Sequence, residues 1–313
     1  MPDKELQKKL LEQIDREMRN LETFQEVPLF YDPIHYVLDL GGKKIRPLLL
    51  MLSCGACGGE AGKAANAAAA VELLHNFTLV HDDIMDNDNT RRGKPTVHTR
   101  WDNSTAILAG DGLLGFAFQK LLQTEGTDTA LLARRFTEAM IIICEGQALD
   151  KMFEQQEKVS AAAYLDMIDR KTAALIQLSC ELGARIAGAD AKTVENMKAF
   201  GHALGMGFQV QDDILDITAD EQALGKKVGS DFEMRKQTIL TIMLKEKLPE
   251  KEFNALDFKG YREALKKEGV LQKAHNLTDD YFNKAFEMLD ALETNRYAAA
   301  LHELSNSIRG RQW

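Results

Sequence analysis

Two acidic clusters are the residues most able to do chemistry. Asp82, Asp83 and Asp86, with Asp88 beyond, and Asp212, Asp213 and Asp216, with Asp220 beyond, share the pattern D-D-x-x-D. In a helix that spacing puts the first and last carboxylates one turn apart on the same face. A lone acidic trio is ordinarily a solvated surface. Here the run AAAAVELLHNFTLVH leading into the first cluster is apolar nearly all round, as in a buried helix. Each cluster is soon followed by loop-like sequence, so each sits near a helix C-terminus, where carboxylates repel one another and oppose the helix dipole. A local rule broken twice in the same way marks a site. Clustered carboxylates without Cys or paired His suit hard divalent cations, Mg²⁺ above all, which takes one or two carboxylates together with phosphate oxygens. Two such clusters facing each other could hold a diphosphate through several ions.

A diphosphate also needs cations, and the chain supplies them beside the acids. Arg91-Arg92 follows the first cluster; Gly225-Lys226-Lys227-Val228-Gly229-Ser230-Asp231 and then Lys236 follow the second; Gly41-Gly42-Lys43-Lys44-Ile45-Arg46-Pro47 lies near the start. Arg suits bidentate contact with phosphate oxygens, and Lys acts as a point charge.

The elements that must position these groups read as helices. The prolines fall at positions 2, 28, 33, 47, 95 and 249, so none interrupts residues 96–248. That stretch steps its apolar residues by three and four, as in Leu131, Phe136, Met140 and Ile143. Asp3, Asp128, Ser160 and Thr278 stand where N-caps belong. The reading is all-α, one large domain over residues 1–313 with ten or more helices. Its longer breaks run from Asn87 to about Ser104 and from Thr218 to about Arg235. The polar segment after Pro249 is expected to be peripheral. Gly110-Asp111-Gly112 follows no strand and reads as close helix packing rather than a phosphate loop.

Composition narrows the function. Of 313 residues, 45% are hydrophobic and 28% charged, which is globular usage, and the net charge of −9 argues against nucleic acid as a partner. No stretch reads as long and apolar enough to cross a bilayer, and even Ala61–Leu74 carries Lys63, Asn66 and Glu72. A cytoplasmic protein without stable membrane insertion is expected. Cys54, Cys57, Cys144 and Cys180 form no disulfide or zinc framework, so Cys54-x-x-Cys57 reads as core packing.

The set GGKKIRP, ELLHNFTLVHDDIMDNDNTRRGKPTVH, DRKTAAL, GFQVQDDILD and GKKVGSDFEMRKQT, in this order over roughly residues 30 to 240, resembles the trans-isoprenyl diphosphate synthases, or polyprenyl synthetases. The resemblance implies a helical bundle around a central cavity, a homodimer, and Mg²⁺, three ions per active site. It implies Asp82, Asp86, Asp212 and Asp216 as metal ligands, with Asp83 and Asp213 supporting them. By the same resemblance Arg91, Lys171, Lys226 and Lys236 grip an allylic diphosphate (dimethylallyl, geranyl or farnesyl). Lys43, Arg46, His75 and Arg92 hold isopentenyl diphosphate, Thr172 and Gln209 line the reacting centre, and Gln147 and Asp150 support it. GGKK stands where many members have GGKR, and Arg309 or Arg311 near the C-terminus is a further candidate contact.

The implied reaction is head-to-tail prenyl transfer. Phe77 lies five residues before Asp82, about 7.5 Å along the helix axis, and the small Thr78 lies four before. In the family, that pair looks like a short-chain synthase whose cavity floor stops products at C20, or at C15. The alternatives are a longer-chain synthase and a non-catalytic regulatory subunit, though both aspartate clusters are intact. A class I terpene cyclase would carry a different second metal motif, and a di-iron bundle would need two Glu-x-x-His pairs where only Glu72-Leu-Leu-His75 occurs.

Overall fold

Caps and apolar periodicity set the element boundaries. A computed structural model describes residues 4–21, 26–218 and 229–310. Its helices begin with α1 (Lys4–Arg19), α2 (Pro28–Asp39), α3 (Ile45–Ala56) and α4 (Ala65–Met85). Then come α5 (Val97–Arg100), α6 (Asn103–Leu122), α7 (Thr129–Phe153), α8 (Ala161–Ile168), α9 (Ala174–Ile186) and α10 (Ala191–Thr218). Shorter and longer helices follow to Arg309. Among the described residues strand is confined to a hairpin, Thr90–Arg91 with Lys94–Pro95, so the all-α expectation holds. Its two-residue turn has positive φ at Arg92 and Gly93, the left-handed backbone that a tight hairpin needs.

Asp128 and Ser160 cap as expected, accepting from the backbone N–H of Leu131 and Ala163. Thr278 does not: it lies inside Val270–Asp290, and its hydroxyl donates to the Ala274 carbonyl. The apolar periodicity there runs straight through the presumed start, and a threonine bonding back one turn is compatible with a helix interior. Asp3 lies outside the described residues.

The contacts group into two compact units. Unit 1 comprises Met1–Thr137, Leu178–Glu195 and Leu292–Leu301; unit 2 comprises Glu138–Gln177, Asn196–Ala291 and His302–Trp313. In unit 1, α4 packs against α6, α3 and α1, and α2 against α6. Close approach is bought with small residues: a Cβ on Gly110 would strike the His81 ring, and one on Gly112 would meet Phe30 at 2.6 Å. The Gly-Asp-Gly run is therefore a packing device. Cys54 and Cys180 are buried, and burial pushes each thiol up to about 12, as inert core residues.

Two expectations need correction. The helix α6 is long and apolar enough to span a bilayer by length and hydropathy, contrary to the sequence reading. Its leucines, isoleucine and phenylalanines raise the hydropathy, and the helix packs against α4 and α2 with 56% of the span buried. The segment after Pro249 is not peripheral. In unit 2, Tyr261 and Leu265 are buried one turn apart in Phe258–Lys267, whose charges occupy the other face. They join Tyr164, Met206, Val210 and Ile239 in the unit's core.

Lys120 is buried in unit 1 beside Glu17, its Nζ 3.2 Å from the carboxylate. Removing one partner of a buried pair leaves an uncompensated charge. Glu17→Ala is therefore expected to destabilise the protein by about 3 kcal/mol, read from the urea midpoint, whereas replacing the exposed Glu12 should change little.

Candidate functional site

In unit 1, α4 ends at Met85 with Asp86 as its cap, and Asn87 takes the left-handed conformation that closes a helix. The first acidic cluster thus occupies the last turn, where the exposed carbonyls already carry negative charge. Its members differ in environment. Asp82 and Asp86 are half-buried, whereas Asp83 is 4% exposed. Asp83 accepts from Arg91 Nε at 2.6 Å and Nη2 at 2.5 Å, and the same guanidinium lies 3.6 Å from Asp88. Burial raises the Asp83 carboxyl above its usual range despite the arginine that opposes the shift. Arg91 is therefore held against the cluster it follows.

The second set of cations and its histidine come together in the same unit. Arg46 Nη1 donates to His75 Nε2 at 3.2 Å. Because a guanidinium only donates, Nε2 must be the unprotonated nitrogen. Burial, together with the positive charges of Arg46, Arg92 and Arg91, holds the imidazole well below its usual pKa. Glu72, one turn earlier on α4, is buried, and burial raises its carboxyl while Arg46, Arg92 and Lys44 pull it down. Arg92 reaches the Gly41-Gly42 turn: a Cβ on Gly42 would lie 2.7 Å from its Nη2. Lys44 instead pairs with Asp15 on α1. So Arg46, His75 and Arg92 come together, with Lys43 next to Gly42 in the chain, while the lysine at the GGKR-type position is taken up by the N-terminal helix.

Phe77 is buried and packs edge-on against His81 with ring centroids 4.8 Å apart. Thr78 is half-buried, its hydroxyl donating to the His75 carbonyl.

In unit 2, α10 carries Gln209, Asp212, Asp213 and Asp216 towards its last turn. Again the outer carboxylates Asp212 and Asp216 are half-buried, and the middle one is 3% exposed. Asp213 accepts from Tyr164 Oη at 2.5 Å, Gln209 Nε2 at 3.0 Å and the Ile239 N–H at 3.4 Å. Burial outweighs these donors and raises its carboxyl to about 7. Asp216 accepts from the Asp231 N–H at 3.2 Å, tying α10 to the segment that carries the half-buried Lys236.

Lys171 and Thr172 lie in a π-helical turn, Asp169–Ala173, between α8 and α9. Lys171 Nζ is 2.5 Å from Asp150, and Thr172 donates to Gln209 Oε1 at 2.9 Å. Two glycines let other backbone approach this turn. A Cβ on Gly146 would strike the Lys171 backbone, and one on Gly205 would lie 2.6 Å from Ala173 Cα. Gln147, beside Gly146, is buried. Lys226 and Arg311 lie outside the described residues. Arg309 pairs with Asp279 at 2.6 Å and Asn283 at 3.2 Å on Val270–Asp290.

Sequence reasoning missed Tyr164, Glu72, Asp15 and the glycine pair. Glu72 had a signal, sitting three residues before His75; Tyr164 and Asp15 had none, because their partners are far along the chain.

The His75 geometry makes a pH prediction. The unfolded chain protonates this ring near 6.5, while the native ring resists the proton. Its contribution to stability is thus complete above that value and declines as pH falls below it. The wild-type urea midpoint should drop between about pH 7 and 5, and His75→Gln should drop less; equal losses in the two proteins would contradict this.

A sequence profile described as polyprenyl synthetase matches residues 27–278. The chain is 44% identical over 284 residues to a geranylgeranyl diphosphate synthase of Sulfolobus acidocaldarius, covering 86% of each protein. It is 37% identical to a short chain isoprenyl diphosphate synthase of Methanothermobacter thermautotrophicus, covering 88% of this chain and 89% of that one. Its fold matches a crystal structure of geranylgeranyl pyrophosphate synthetase from Pyrococcus horikoshii with a TM-score of 0.92, 35% identity and 98% coverage of both.

Proposed function

The chain belongs to the polyprenyl synthetase family and is a short-chain trans-prenyltransferase acting on isoprenoid diphosphates; from that premise we propose which of its residues carry the reaction. The observation that carries the reading is common to both D-D-x-x-D motifs. In each, the middle carboxylate is buried on donors, and the outer pair, one turn apart, stays partly accessible.

Members of this family generally use a divalent metal. Asp82, Asp86, Asp212 and Asp216 are hard oxygen donors suited to Mg²⁺, which we take to be bound as three ions. Bound Mg²⁺ would supply positive charge against the diphosphate as it leaves. Arg91, Lys171, Lys226 and Lys236 grip the allylic diphosphate. The pairings of Arg91 with Asp83 and of Lys171 with Asp150 support this, since they hold both cations in place beforehand. Lys43, Arg46 and Arg92 hold isopentenyl diphosphate, and the neutral His75 aims Arg46 by accepting its hydrogen bond. Thr172 and Gln209 put oxygen dipoles beside the allylic carbon. As its C–O bond breaks, the isopentenyl double bond forms the new C–C bond, and the proton then lost passes to the departed diphosphate. Gln147 and Asp150 brace Lys171 from α7.

We read Phe77 and Thr78 as the floor that limits products to C20, with C15 the shorter outcome; the support is Phe77 braced on His81. We read residues 1–313 as one synthase domain, because the family match runs through both compact units. A cytoplasmic homodimer completes the proposal: Ile107, Leu108 and Leu122 leave apolar surface open along α6, which a second copy would cover.

Asp82→Ala and Asp212→Ala should each lower kcat about a hundredfold or more with unchanged helical circular dichroism, and EDTA should abolish activity that Mg²⁺ restores. Near-normal rates in both variants would overturn the ligand assignment. Phe77→Ala should lengthen the products, seen by chromatography of radiolabelled prenyl chains; an unchanged distribution would remove Phe77 from the floor.

A further inference from the structure

Unit 2 contains an ordered chain of hydrogen bonds whose direction matters. Tyr164, on α8, is buried among apolar side chains and donates to Asp213 Oδ2 at 2.5 Å. The Ile239 N–H lies 3.4 Å from the same oxygen. That leaves Oδ1 for Gln209, one turn earlier on α10, whose Nε2 donates to it at 3.0 Å. Oδ1 accepts there, so the nitrogen end of the amide faces Asp213. The oxygen end must then face Thr172, and the Thr172 hydroxyl donates to it at 2.9 Å. A hydroxyl has one proton and two lone pairs. With its proton committed to Gln209, Thr172 turns lone pairs, and not a positively polarised hydrogen, towards whatever lies on its other side.

We propose that Tyr164 is a positioning residue for prenyl transfer: by holding Asp213 it sets the sense of the Gln209 amide and thereby the outward polarity of the Thr172 hydroxyl. This rests on the reading of Thr172 and Gln209 as groups beside the allylic carbon. The chemistry makes the sense of the chain consequential. Breaking the allylic C–O bond leaves an electron-poor carbon, which lone pairs stabilise and a hydroxyl proton destabilises. Without the Tyr164 hydroxyl, Asp213 loses its 2.5 Å partner and the Gln209 amide can reverse. A reversed amide offers hydrogens to Thr172, whose own hydrogen then points away from Gln209. The sense of the chain acts on the carbon and not on the phosphate oxygens, so the effect is expected in the chemical step.

The test is Tyr164→Phe in the full-length enzyme, with kcat and both KM values and a double-mutant cycle with Gln209→Ala. The expected result is a kcat lower by about 10- to 100-fold, little change in either KM, retained helical circular dichroism, and no further loss when Tyr164→Phe is added to Gln209→Ala. A parental kcat, an equal loss in the Gln209→Ala background, or a protein that fails to fold would each overturn the proposal, the last because the hydroxyl would then serve only the fold. Gln209→Ala and Thr172→Val alone separate the two levels. If both leave kcat intact, the reading of the reacting centre falls and takes this proposal with it; if both lower kcat while Tyr164→Phe does not, only the role of Tyr164 is lost.

Discussion

Crowding carboxylates at the end of a helix is the constraint to which the rest of this structure answers. Three acids within five residues repel one another, and the helix dipole adds to the repulsion. The chain resolves this by withdrawing one carboxylate of each trio from water and binding it to dedicated donors. Asp83 takes a full positive charge from Arg91; Asp213 takes neutral donors from Tyr164, Gln209 and the Ile239 backbone. Burial is the largest influence on both and pushes both pKa values up. An unpartnered carboxylate in either place would cost several kcal/mol. The buried acid also anchors the helix end, and that keeps the two outer carboxylates one turn apart.

The same economy of space governs the π-helical turn of Lys171 and Thr172. A π turn widens the helix and is costly in isolation, so it persists where packing determines it. Gly146 on α7 and Gly205 on α10 supply that packing through missing side chains. Gly205 is four residues before Gln209, so the contact that brings α10 against the turn also brings Gln209 to Thr172. Lys171 is held from the other side by Asp150, four residues after Gly146.

The cationic group of unit 1 faces the opposite difficulty. Arg46, Arg91 and Arg92 repel one another, and a protonated His75 would add a further positive charge. Keeping the ring neutral turns the histidine from a competitor into an acceptor for Arg46. Glu72 is buried beside them, and Arg46, Arg92 and Lys44 oppose the upward push that burial gives its carboxyl. Lys44 is drawn off to Asp15, so the residue at the GGKR-type position serves the attachment of α1.

Much of this was legible along the chain. The all-α class, the caps at Asp128 and Ser160, the two D-D-x-x-D faces and the packing role of Gly110 follow from spacing within one element, and spacing is local information. The errors have the same origin. Thr278 looked like a cap because residue type was read without the helix already running past it, and the segment after Pro249 looked peripheral because its many charges hid the Tyr261–Leu265 face. Helical periodicity could place Asp213 beside Asp212 but could not say that Asp213 turns inwards to a tyrosine 49 residues away, or that Lys44 meets Asp15 across 29. By itself the sequence determined which residue types share a helix face and where cations accompany them. Only the tertiary structure decided which carboxylate is withdrawn from water, which nitrogen of His75 accepts, and which backbone approaches Gly146 and Gly205. Those choices depend on desolvation and donor geometry, which arise when separate helices pack and have no counterpart in the order of residues along one of them.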